Sequence, residues 1–111
     1  MKREEVADRL YRMVSYRIEY DTLNAMRCDR DSVEIEAIVG EYFADVKLNI
    51  LYRDIGQGKA HHEIPYVEVN EVVVTTSDAY HSDISYYIYS KLDYDIECIN
   101  KKLTKNALKV A

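Results

Sequence analysis

Val6, Leu10, Met13 and Val14 recur at the i, i+4, i+7, i+8 spacing of one helical face. That spacing predicts an amphipathic first helix over about residues 3–20. Glu4 and Glu5 fall in its first turn, where carboxylates meet the positive end of the helix dipole. Past Ile18 the stripe fades. Tyr16, Ile18 and Tyr20 also alternate with Arg17, Glu19 and Asp21 as a short strand would, and helix is the expectation for this stretch.

From Ser32 the period becomes two. Val33, Ile35, Ala37 and Val39 alternate with Glu34, Glu36 and Ile38, which predicts a half-buried strand. A turn is expected over Gly40-Glu41-Tyr42-Phe43-Ala44, and then Val46, Leu48, Ile50 and Tyr52 alternate with Asp45, Lys47, Asn49 and Arg53. Residues 54–63 hold two of the three glycines and read as a mobile loop. Pro65 can open a third strand, valine-rich, over Tyr66–Thr76. Ser82 or Asp83 is the expected N-cap of a last helix. Its Ile84, Ile88, Leu92, Ile96, Ile99 and Leu103 fall within an arc of about 120°.

The order helix–three strands–helix predicts a single α+β domain over residues 1–111, with an antiparallel sheet and both helices on one face. The other face would carry Glu34, Glu36, Asp45, Lys47, Asn49, Arg53, Glu68 and Asn70. Edge strands of so small a sheet are natural sites for pairing with a second copy.

Composition sharpens this picture in one respect. Eleven tyrosines stand against one phenylalanine and no tryptophan. A tyrosine ring buries well while its hydroxyl needs water or a partner, so tyrosine collects at core rims and interfaces. Tyr86, Tyr87, Tyr89 and Tyr94 crowd into the last helix, and one core cannot receive them all. Tyr87, Lys91, Tyr94, Cys98 and Lys101 form a second stripe there, a candidate interface for a homodimer or another protein. The competing reading leaves Tyr87 and Cys98 at the core border and Tyr94 in solvent.

Charge and apolar content exclude other classes. A net charge of −5 opposes nonspecific contact with nucleic acid or anionic membrane. Lys101, Lys102, Lys105 and Lys109 make the tail basic, which a helix C-terminus explains through its dipole. The longest apolar runs, Ala37–Val39 and Val72–Val74, fall far short of the ~20 residues of a membrane span. Met1-Lys2-Arg3 leads into Glu4-Glu5, so no secretory signal and a cytoplasmic location are expected. Cys28 and Cys98 lack CxxC companions and read as a reduced pair, with one disulfide open to them only if the fold brings their Cα atoms within about 7 Å.

Most candidate chemistry dissolves on inspection. His62-Glu63-Ile64-Pro65-Tyr66 is not HExxH, since the second histidine is missing and Pro65 forbids the helix. Adjacent His61 and His62 point to opposite sides of an extended chain, and His81 stands apart from them in the sequence. Gly56-Gln57-Gly58-Lys59 lacks the spacing and ending of a phosphate loop. Ser77, Asp78, His81 and Ser82 serve turns and caps better than nucleophilic catalysis.

Asp45-Val46-Lys47 is the one constellation with a mechanism behind it. Asp45 and Lys47 share a strand face, and Glu34 or Glu36 can add a second carboxylate to hold a divalent metal and position water. With the element order, the tripeptide resembles part of the PD-(D/E)xK nuclease core. It opens the second strand, where that family places it on the third, and no Pro-Asp precedes it. The leading expectation is a small non-enzymatic interaction protein without cofactor or metal, a homo-oligomer or accessory subunit. The metal-dependent nuclease is the alternative.

Overall fold

The computed structural model describes residues 1–54, 56 and 63–110. In chain order the elements are α1 (Arg3–Arg27), β1 (Ser32–Val39), β2 (Tyr42–Asp54), β3 (Glu63–Thr75) and α2 (Ser82–Val110). The strands form one antiparallel sheet in the order β1-β2-β3. Both helices cover the same sheet face, α1 over β1 and α2 over β3, and touch each other along a shared seam. The two-layer α+β sandwich expected from the pattern is the observed architecture.

Helix α1 runs through the ambiguous stretch to Arg27, because Ile18, Thr22 and Ala25 continue its buried stripe. Met13 does not join that stripe; it lies 42% exposed on the flank. The helix closes in a Schellman motif: Arg30 N–H donates to the Ala25 carbonyl at 2.9 Å and Asp29 N–H to Met26 at 3.2 Å. Asp29 takes the left-handed φ of 56° that this ending needs.

In β1 the alternation holds residue by residue, with Val33, Ile35, Ala37 and Val39 buried. The following turn is shorter than the five residues proposed. Val39 pairs with Tyr42, so Gly40-Glu41 alone makes the connection. Gly40 has φ +59°, as the first loop position of a type II′ hairpin turn demands, and Glu41 does not share the positive φ. Tyr42, Phe43 and Ala44 are therefore strand residues.

Strand β3 begins at Glu63, ahead of the expected Tyr66, and a bulge divides it: Lys47 pairs with Glu71 while Leu48 pairs with Val69. Asn70 is the extra residue, not a member of the outer face. The slip lets Val67 on one side and Val72 and Val74 on the other all reach the core, although their parities differ. At the far end Tyr52 is 54% exposed, not buried, and Arg53 extends to Thr104 Oγ1 of α2 at 3.5 Å. Arg53 therefore meets the helical layer and is not a member of the outer face.

On α2 the six-residue apolar stripe is buried throughout, from Ile84 to Leu103. Ser82 is its first helical residue, not its cap. The His81 carbonyl accepts the Ser85 N–H at 3.0 Å, which puts His81 at the N-cap position. The loop expected over 54–63, with Gly56-Gln57-Gly58-Lys59 and His61-His62, lies outside the described residues except for Asp54, Gly56 and Glu63. Among the described residues no helix is long and apolar enough to cross a membrane.

Candidate functional site

The two free edges of the sheet are covered unequally. On β3 the outward backbone groups of Val67 and Val74 are taken up by the helical layer. Val67 N–H donates to Asn100 Oδ1 at 2.7 Å, and Asn100 Nδ2 donates to the Val67 carbonyl at 3.0 Å. The amide of Asn100 thus stands in for a neighbouring strand. Farther along, Val74 N–H donates to Ser85 Oγ at 3.0 Å and the Val74 carbonyl accepts His81 N–H at 2.8 Å. Pro65, with no N–H to satisfy, lies in the same edge strand.

On β1 the edge is open. Val39 and Tyr42 close a two-residue loop, so odd-numbered residues of β1 bond to β2 and even-numbered ones turn their backbone groups outward. Ile50 N–H donating to Asp31 O at 2.8 Å continues that parity. Among the described residues one group meets this edge: Arg17 Nη1 of α1 donates to the Glu36 carbonyl at 3.1 Å. The same contact shows which flank of α1 overhangs the edge. Met13, Tyr16 and Tyr20 share that flank by helical spacing, and the two tyrosines are 90% and 72% exposed.

The outer sheet face next to this edge is acidic. Its rows are Ile38–Phe43–Thr75, Glu36–Asp45–Val73, Glu34–Lys47–Glu71 and Ser32–Asn49–Glu68. Glu34, Glu36, Asp45, Glu68 and Glu71 thus face Lys47, whose Nζ reaches Glu71 only at 3.9 Å. Asp45 Oδ1 is buried from water with no hydrogen-bond partner among the described residues. The neighbouring Asp45 carboxylate raises the Glu34 carboxyl above its ordinary value, by hydrogen bonding first and by charge repulsion second, with Lys47 pulling the other way. Ile38, 62% exposed, and the half-buried Phe43 and Val73 give the hairpin end an apolar corner.

Helix α2 divides the stripe proposed on its flank between two environments. Tyr87 is half-buried on the α1 seam, its hydroxyl donating to Asp8 Oδ1 at 3.5 Å. Lys91 Nζ sits 5.3 Å from the Tyr87 ring centroid and 5.7 Å from that of Tyr11. Tyr11 in turn donates to Asp95 Oδ2 at 2.6 Å. Burial is the first cause, and Asp95 the second, of a Tyr11 pKa raised above the usual phenol value. Tyr94, 71% exposed, neighbours the half-buried Cys98, and Lys101 pairs with Glu97 at 3.2 Å. Tyr87 and Lys91 serve the helix–helix seam, while Tyr94 and Lys101 face solvent.

His81, weighed as a metal ligand, is engaged on both ring nitrogens. Nε2 lies 3.0 Å from Thr76 Oγ1, and Nδ1 lies 3.3 Å from the Arg3 guanidinium. Cys28 and Cys98 are both free. The structure brings the proposed Asp45, Lys47, Glu34 and Glu36 into adjacent cross-strand rows. Even so, among the described residues no three histidine, cysteine or carboxylate side chains converge to hold a metal ion. No family model, curated protein or solved structure matches this chain. Tyr16, Tyr20 and the Arg17 contact are the features that sequence reasoning passed over. Their signal was present in the exposed side of the first helical stripe.

Proposed function

We propose that this protein is a small non-enzymatic interaction protein, an accessory subunit that joins another protein through the β1 side of its sheet. The observation that carries this reading is the asymmetry of the edges: on β3 Asn100, Ser85 and His81 engage both backbone groups of Val67 and of Val74, whereas on β1 Arg17 alone meets the edge among the described residues. Natural sheets normally blunt their free edges, and one left open beside exposed tyrosines and an apolar corner fits a place of contact.

The test combines solution mass with partner capture in cells that make the protein. Ile38→Asp with Tyr20→Ser should abolish a complex that Tyr87→Ala with Tyr94→Ala leaves intact, both variants keeping wild-type circular dichroism. A complex lost only in the second variant would return the interface to α2. A concentration-independent homodimer would replace the unlike partner with a second copy.

The metal-dependent nuclease is the second reading, and it rests on Glu34 and Asp45 meeting beside Lys47. A ligand that binds only the folded state raises apparent stability, so Mn²⁺ or Mg²⁺ should raise the melting temperature, and Asp45→Ala should remove the effect. No shift at millimolar metal rejects that reading.

A further inference from the structure

The residues around β1 define the chemistry of what fits there. Building on the interaction reading above, we propose that its free edge takes up an extended segment of another protein as a fourth strand, one alternating lysine or arginine with apolar residues. An added antiparallel strand would bond to the outward backbone groups of Glu34, Glu36 and Ile38. On the outer face its side chains would lie beside Glu34 and Glu36, themselves next to Asp45 with its unpartnered Oδ1. Cationic side chains relieve that crowding of carboxylates. On the inner face the alternate side chains would run beneath Met13, Tyr16 and Tyr20, the exposed apolar flank of α1. Arg17, half exposed and also paired with Asp21 at 3.2 Å, must release the Glu36 carbonyl when the strand arrives.

Charge decides against a second copy at this edge. A twofold β1–β1 pairing has two registers that overlap the strand most fully, centred on Ile35 or on Glu36. The first sets Glu34 opposite Glu36 of the other chain twice, and the second sets Glu36 opposite itself. Directly opposed like charges destabilise a ladder, whereas opposite charges stabilise it.

The experiment adds a synthetic peptide of alternating lysine and valine, matched to β1 in length, to the full chain. Amide exchange is followed residue by residue. The expected result is new protection at Glu34, Glu36 and Ile38 but not at Ile35 or Ala37, which already bond to β2. The lysine peptide should bind about tenfold more tightly than its glutamate–valine counterpart at low salt. That preference should collapse in Glu34→Gln with Glu36→Gln. Glu36→Pro, which deletes an outward N–H that β2 does not use, should abolish binding while the circular dichroism is retained.

Equal affinity for the two peptides, protection elsewhere, or undiminished binding by Glu36→Pro overturns the proposal. So does alternate protection without peptide in a dimeric wild type. If the peptide results fail while Ile38→Asp with Tyr20→Ser still abolishes the cellular complex, the strand chemistry falls and the interaction reading stands. If that variant leaves the complex intact, both fall.

Discussion

Replacing Asn100 with alanine removes two hydrogen bonds at once, from Val67 N–H at 2.7 Å and to the Val67 carbonyl at 3.0 Å. Val67 is 1% exposed, so water cannot readily replace the lost amide. A hydrogen bond that is made contributes about 1 kcal/mol net, and a buried donor left without a partner costs about 1–3 kcal/mol. Asn100→Ala should therefore destabilise the fold by about 2–3 kcal/mol. In urea the midpoint should fall by about 1–2 M at the slopes usual for small domains. Exchange of the Val67 amide should accelerate far more than that of Ile35, which is bonded within the sheet. Asn100→Asp keeps an acceptor for the Val67 N–H and should retain most of that amide's protection while losing stability from the carbonyl side. A loss below about 0.5 kcal/mol, the range of an ordinary surface substitution, would refute the sealed-edge reasoning. So would an unchanged Val67 exchange rate.

Three further outcomes are expected. Ser85→Ala strips the buried Val74 N–H of its partner at 3.0 Å and should cost about 1–3 kcal/mol by chemical denaturation. Tyr11→Phe deletes the 2.6 Å hydrogen bond to Asp95 across the helix seam; about 1–2 kcal/mol should be lost, with the absorbance titration missing a tyrosine that ionises above the usual phenol value. For Glu34, raised above its ordinary value by Asp45, the folded protein binds more protons than the unfolded chain as pH rises through that window. The contribution of Glu34 is therefore present at acid pH and lost as pH rises through the folded pKa. Glu34→Gln should melt higher than the wild type at neutral pH and converge with it in acid; a constant gap across pH would contradict the Glu34–Asp45 coupling.

The chain's own pattern determined the elements and their layering. The apolar stripe from Ile84 to Leu103 could make only a helix with one buried face, and the alternation from Val33 to Val39 only a half-buried strand. Side-chain period is a local property, so it is legible without the fold. What the pattern could not carry were features that arise between elements. The bulge at Asn70 depends on how Val67 and Val72 both reach one core through β2. The fate of each tyrosine depends on its neighbours: Tyr87 is drawn into the α1 seam by Asp8 and Lys91, whereas Tyr16 and Tyr20 are left exposed where α1 overhangs β1. Above all, the contrast between the two sheet edges is invisible in sequence. Whether a backbone N–H meets an asparagine amide or open water is decided by where a distant helix lies, and Asn100 lies against Val67 only in the folded chain.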